Sequence, residues 1–250
     1  MAVVGAPSPN GSGANSSDLI ETRGLSLGYN KIPVVRDLDL HVREGEVVCI
    51  LGANGAGKTT TILGLAGELS PMSGEIHWLG KPVKSPLHVR ARQGLAFVPE
   101  ERSVIFGLSV LDNLRLGQGD VDAALELAPE LRDMRHKRAG LLSGGEQQIL
   151  TLARALASNP RLLIADELSL GLAPLVVERL LLAARRAADR GIGVLLVEQH
   201  IRSALAVADR ALVLRRGQVV LQGTAAELSS RTAEIEASYM TAGPDEDETD

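Results

Sequence analysis

The sequence predicts an α/β fold on two observations. Short apolar runs recur along the chain, at Glu46-Val-Val-Cys-Ile-Leu51, Gly94-Leu-Ala-Phe-Val-Pro99, Arg161-Leu-Leu-Ile-Ala-Asp166 and Ile192-Gly-Val-Leu-Leu-Val197, and each reads as a buried strand. Between them lie segments with apolar residues at helical spacing, and the first strand runs straight into the glycine-rich stretch Gly52-Ala-Asn-Gly-Ala-Gly-Lys58-Thr59-Thr60. Strand, glycine loop and helix in that order organise the rest of the chain.

Composition narrows the class. The 250 residues are enough for a large core, and 45% hydrophobic with 23% charged residues is ordinary for a globular domain. No apolar run approaches the ~20 residues of a membrane-spanning helix. The N-terminus has no basic segment leading into an apolar stretch, so no secretory signal is expected. One cysteine, Cys49, allows no disulfide framework and is expected as a small buried apolar side chain, which suits a reducing cytosol. A net charge of −5 without a basic stripe argues against nucleic acid as a partner, and 2% aromatics leave little for base-stacking platforms.

Taken in order, residues 1–17 form a low-complexity leader of Pro, Gly, Ser, Asn and Ala, expected to be disordered. Residues 19–42 alternate and read as strands, with Tyr29 in a turn-prone Gly-Tyr-Asn-Lys between them. Its ring either stacks on a nucleotide base or closes a strand end. The stretch from Gly52 to Thr60 fits G-x-x-x-x-G-K-[ST]. Glycines let Gly52, Ala53, Asn54, Gly55, Ala56 and Gly57 curl their backbone N–H groups round a phosphate, and the helix that follows adds its partial positive charge. Lys58 is then placed for the β- and γ-phosphates and the Thr59 hydroxyl for Mg²⁺.

The strand at 94–98 stops at Pro99, and Glu100 follows. Residues of about 101–150 lean towards helix, are broken by Gly107, Gly117, Gly119 and Pro129, and read as a mostly helical insert. Within it Leu142-Ser-Gly-Gly-Glu-Gln-Gln148 opens a helix that ends by Pro160. Ser143, Gly144, Gly145 and Glu146 at that helix start are either a second anion site or simply a good N-cap. Asp166 and Glu167 close an apolar strand at the sheet edge where α/β proteins place ligands. Asp166 suits a hydrated Mg²⁺, and Glu167 is placed to orient or deprotonate a water. Residues 175–190 form an amphipathic helix closed by Gly191. The next strand leads to Glu198-Gln-His200, where His200 can reach a γ-phosphate. His41, His77, His88 and His136 lack such a setting. Residues 211–221 read as a hairpin turning at Gly217, 225–240 as a last helix, and 243–250 as a solvated acidic tail. One domain spans 18–242.

The motif order resembles that of the ATP-binding subunits of ABC transporters over about residues 19–240: the glycine loop, then Leu142-Ser-Gly-Gly-Glu-Gln-Gln148, then Asp166-Glu167, then His200. The resemblance implies a phosphate-loop ATPase core with an antiparallel β subdomain and a helical subdomain. It implies a head-to-tail dimer in which MgATP lies between the phosphate loop of one protomer and Ser143-Gly144-Gly145 of the other. Tyr29 then matches the base-stacking aromatic, Glu167 the catalytic carboxylate, His200 the switch histidine, and Glu100 the lid position that usually carries glutamine. A carboxylate there is still a hard oxygen ligand for Mg²⁺. Ala173 stands where many members carry an aspartate that communicates between protomers, and Leu168 where proline is usual.

Val98-Pro-Glu-Glu-Arg102, Ser169-Leu-Gly-Leu-Ala-Pro174 and Val197-Glu-Gln-His200 look like an ATPase of branched-chain amino acid importers, with urea and short-amide importers as the alternative. That implies a second ATPase subunit, transmembrane permease subunits at the cytoplasmic face of the membrane and, indirectly, an extracytoplasmic solute-binding protein. Residues 100–116 would face the permease, with Phe106, Leu108 and Val110 as apolar contacts or core. A soluble ATPase working on nucleic acid or ribosomes would show tandem cassettes or long coiled coils. A non-hydrolysing regulator would lack Glu167 or Lys58.

Overall fold

The computed structural model describes residues 18–101, 103–117 and 119–240. The expected leader and acidic tail, and Arg102, lie outside them. Two sheets form the frame. The first begins with β1 (Asp18–Tyr29) and β2 (Ile32–Arg43), antiparallel and joined through Asn30 and Lys31. Both turn residues have φ near +50 to +65°, the left-handed pair that lets a two-residue turn follow the twist of the strands. These are two 12-residue strands rather than several short ones. β3 (Val47–Leu51), preceding the glycine loop, belongs to the second sheet, while β4 (Ser73–Trp78) and β5 (Lys81–Pro82) complete the first in the order β2-β1-β4-β5.

The second sheet is built on β3. With β6 (Leu95–Val98), β7 (Leu162–Asp166), β8 (Gly193–Glu198), β9 (Arg210–Arg215) and β10 (Gln218–Thr224), its order is β10-β9-β3-β8-β7-β6. All neighbours are parallel except the β9–β10 hairpin, which turns at Arg216 and Gly217. Strand alternation divides the core. Val47, Cys49 and Leu51 of β3, Leu163 and Ala165 of β7, and Val194 and Leu196 of β8 pack on the helical side. Val48, Ile50, Leu162, Ile164, Leu195 and Val197 pack against the first sheet and α1 (Lys58–Ala66). Burial on both faces is why these strands carry unbroken apolar runs.

On the helical side lie α3 (Val110–Arg115), α4 (Val121–Leu127), α5 (Gly144–Ala157), α6 (Pro174–Asp189) and α7 (Ile201–Leu205), while α2 (Leu87–Arg92) leads into β6. α5 runs past residue 150, the expected end of the helical insert. The expected helix at 225–240 is two, α8 (Ala225–Ser229) and α9 (Thr232–Met240). Val110 is buried in the core beneath α3, which removes it from the list of surface contacts, whereas Phe106 is 60% exposed.

The consequence for function is geometric. β3, β6, β7 and β8 all run the same way, so the segments after Leu51, Val98, Asp166 and Glu198 emerge at one edge of one sheet.

Candidate functional site

At that edge the segment after β3 winds into α1. Gly57, the last residue before the helix, has φ of +101°, and a Cβ there would come within 3.0 Å of Val35. Glycine answers both constraints. The loop is tied down from behind by the Gly217 N–H on Ala56 O at 3.0 Å. Ahead of it opens a cleft of about 420 Å³, lined by Asn54, Gly55, Gly57, Lys58, Thr59 and Thr60 of this loop, Glu100 after β6, Glu167 after β7 and Gln199 after β8. Eight of the residues expected from sequence thus line one cleft, and Gly52, Ala53 and Ala56 belong to its supporting loop.

Lys58 is buried, and its Nζ donates to Gly52 O at 2.9 Å and Ala53 O at 3.1 Å and pairs with Glu167 Oε1 at 3.2 Å. Glu167 has φ of +44°, a costly conformation for a side-chain-bearing residue. Its N–H donates to Val197 O at 2.9 Å, so ladder pairing holds the bend one residue beyond β7. Gln199 Nε2 donates to both Glu167 carboxylate oxygens, at 3.0 and 3.2 Å, and to Asn54 Oδ1.

Asp166 is buried, and its Oδ1 has no hydrogen-bond partner among the described residues. Burial pushes its carboxyl up to about 6; Glu167 and Glu100 add to the rise, while Thr59 and Lys58 pull the other way. An acceptor oxygen without a partner, beside the Thr59 hydroxyl, fits a hydrated divalent cation on a polyphosphate.

Ser143 is the N-cap of α5: its Oγ accepts from the Glu146 N–H at 3.3 Å, and the Glu146 carboxylate accepts from the Ser143 N–H at 2.6 Å. The capping reading of this motif therefore holds. The serine proton and the N–H groups of Gly144 and Gly145 are not consumed by it. Residues 143–146 do not line the phosphate-loop cleft. Tyr29, at the end of β1, is 47% exposed and is also off that lining. His200 heads α7 and turns Nδ1 towards Ser169 Oγ at 3.1 Å.

Three residues of this edge had no role assigned from sequence: Gln199, Glu198 and Ser169. Glu198 carried a readable signal, because it ends an apolar strand at the same sheet edge as Asp166.

The fold and this cleft define a phosphate-loop nucleotide-binding ATPase of the parallel-sheet class, with its Lys, Thr and two carboxylates delivered by the ends of neighbouring strands. The family model for ABC transporters matches residues 35–169, more than half of the chain. The chain is 41% identical over 214 residues to the high-affinity branched-chain amino acid transport ATP-binding protein BraG of Pseudomonas aeruginosa, covering 82% of this chain and 92% of that one. It is 35% identical over 221 residues to the lipopolysaccharide export system ATP-binding protein LptB of Escherichia coli K12, covering 84% and 92%. Among solved structures, an ATP-binding subunit of an ABC transporter superposes with a TM-score of 0.75 at 29% identity, covering 90% of this chain and 99% of that one. This chain belongs to the ABC transporter ATP-binding family and is an ATPase. Among the described residues no helix is long and apolar enough to cross a membrane.

Proposed function

We propose that the chain is the ATP-hydrolysing motor of an importer of branched-chain amino acids. It acts as a head-to-tail dimer of ATPase subunits on separate transmembrane permease subunits at the cytoplasmic face of the membrane, with an extracytoplasmic solute-binding protein delivering the solute. The observation that carries the motor reading is the division of anion-binding groups. Lys58, Thr59, Glu100 and Glu167 line one cleft, while Ser143, Gly144 and Gly145, which open α5, do not line it. One polyphosphate touches both sets when a second chain faces the first. The 41% identity to BraG supports the choice of solute.

In this reading the N–H groups of residues 52–60 and the Lys58 ammonium hold the β- and γ-phosphates, and the Tyr29 ring stacks on the adenine. Thr59, Asp166 and Glu100 would hold Mg²⁺, which neutralises charge between the two phosphates when bound. Glu167 accepts the proton of an attacking water, Gln199 keeps its carboxylate in place, and His200 donates to the γ-phosphate. Ser143, Gly144, Gly145 and the helix start at Glu146 close on the phosphates from the partner, excluding water and completing the charge-stabilising set.

The test is uptake of labelled leucine and of labelled urea in cells carrying wild type or Glu167→Gln at equal expression. Loss of leucine uptake alone is expected. Loss of urea uptake alone would keep the motor and change the solute. If neither changes, the importer reading falls.

A further inference from the structure

Beside the cleft, Ser169 and Glu198, which have no task in the scheme above, form a chain of contacts with His200. Ser169 Oγ lies 2.5 Å from Glu198 Oε2 and 3.1 Å from His200 Nδ1. Ser169 is itself buried, in the turn after Glu167, so its hydroxyl has these two partners at hand. It has one proton to give and two groups to satisfy. Which way that proton points fixes the state of both neighbours.

Glu198 is 1% exposed, its Oε1 has no hydrogen-bond partner, and it forms no ion pair among the described residues. The ionisable groups around it are acidic or neutral. Asp166 and Glu167 face it from β7 and the turn beyond, and Cys49 from β3. His200 reaches it through Ser169 at the head of α7, and Glu178 of α6 lines the cavity that Ser169 and His200 also line. The Ser169 hydroxyl and backbone N–H favour the charged form, but burial and the two neighbouring acids outweigh them and push the carboxyl up to about 7. A charge here would be buried, half-unpaired and next to like charges.

Two arrangements of protons are open. If Glu198 is ionised, it can only accept, so Ser169 donates to it and Nδ1 of His200 must donate into Ser169. The neutral ring then presents a bare Nε2. If Glu198 is neutral, its O–H donates to Ser169 and the Ser169 O–H donates to Nδ1. The ring proton then sits on Nε2, the side not engaged by Ser169 and the only one free to donate to a phosphate oxygen.

From this geometry we infer that Glu198 and Ser169 are positioning residues, a hydrogen-bond relay in which Glu198, through the Ser169 hydroxyl, sets which ring nitrogen of His200 carries the proton. The inference deepens the ATPase reading of this site, since His200 needs an N–H on Nε2 for its contact with the γ-phosphate.

The test reads the ring nitrogens directly, by ¹⁵N NMR of histidine-labelled full-length protein at pH 8.5, with His200→Asn identifying the signals. Glu198→Gln supplies a permanently neutral donor at the head of the relay. In it His200 is expected to carry its proton on Nε2, with Nδ1 reading as an acceptor. Ser169→Ala in the same background removes the middle of the relay and is expected to shift the ratio of the two tautomers by threefold or more, on the order of 0.6 kcal/mol. Ser169→Thr keeps a hydroxyl and is expected to restore the ratio. In ATPase assays Ser169→Ala is expected to lower kcat on the order of tenfold with KM for ATP changed less than about twofold, and Ser169→Thr to recover most of it. A proton on Nδ1 in Glu198→Gln, an unmoved tautomer ratio in Ser169→Ala, or an unmoved kcat would each overturn the relay. The NMR arm needs neither permease nor solute, so its failure is distinct from failure of the importer reading.

Discussion

Replacing Glu167 by Gln probes the contact on which the cleft is balanced. Lys58 Nζ and Glu167 Oε1 are 3.2 Å apart, both buried. At that distance the gross attraction is about 5 kcal/mol at an effective dielectric of ~20. Desolvation of the two charges offsets most of it. To serve a triphosphate, Lys58 must leave this carboxylate, and the carboxylate must remain beside an incoming polyanion. Glutamine keeps the volume and an acceptor oxygen for Lys58 but removes the charge, so both penalties shrink together. If about a quarter of the gross attraction is recovered, roughly 1.3 kcal/mol, the Kd for ATP tightens about ninefold. Calorimetric titration with ATP in EDTA isolates this step from turnover. With Mg²⁺ restored, the same variant should lose on the order of 100-fold or more in kcat and elute as a dimer with ATP. An unchanged or weaker Kd in EDTA would refute the competition between Glu167 and phosphate for Lys58.

Three further outcomes are expected. Gly145→Asp should leave ATP binding by the monomer within about threefold while abolishing hydrolysis, because it damages the half-site offered to the partner. A Cβ at Gly145 also meets Val176 Cγ1 at 2.9 Å, so the variant is paired with Val176→Ala, and recovery of turnover in the double variant would assign the defect to local packing. Arg90 is buried and donates to Leu65 O at 2.6 Å, Gly64 O at 3.3 Å and Ser85 O at 2.9 Å, closing the C-terminal end of α1. Arg90→Met should cost about 3 kcal/mol or more in urea denaturation, as buried carbonyls lose their donor. For Glu198, a native carboxyl near 7 against an ordinary 4.5 means the folded chain binds more protons between those values, so its stability falls as pH rises through that window. Glu198→Gln removes the penalty and should be more stable than wild type at pH 8, by up to about 3 kcal/mol, with the gain vanishing below pH 4.5.

The parts of this molecule legible in the sequence are those where one physical constraint acts alone. β3, β7 and β8 are buried on both faces, so their apolar runs are unbroken, and the polar residues that end them mark the ligand edge directly. Residues 67–93 yielded no element, although they hold β4, β5 and α2. β4 is exposed over its first half, β5 has two residues, and α2 has one buried side chain, Arg90, so no periodicity survives to be read. The break between α8 and α9 is not legible for a related reason: Ser230 and Arg231, which separate the two helices, are not helix breakers. Side-chain partnerships across the site were illegible in another way. Gln199 meets Asn54 and Glu167, and Ser169 meets Glu198, only because strands distant in sequence end side by side.

The two departures from the family pattern beside Glu167 show how packing can substitute for local chemistry. Proline at position 168 would stiffen the turn through its ring. Leu168 has no such restraint, yet it is 1% exposed and sits in the helical-side core, so the turn is pinned from below by burial, worth roughly 2 kcal/mol for a leucine. From above, the Glu167 N–H on Val197 O and the Ser169 contacts fix the residues on either side. A left-handed Glu167 therefore persists without the proline. Ala173, in place of an aspartate, leaves α6 without a side-chain cap, and its carbonyl accepts the first bonds of the helix from the Val176 and Val177 N–H groups. Beyond Ser169 the stretch is held by the Leu170 N–H on Glu167 O and the Leu172 N–H on Ser169 O, each at 3.3 Å, and by Leu172 packed against the helical-side core.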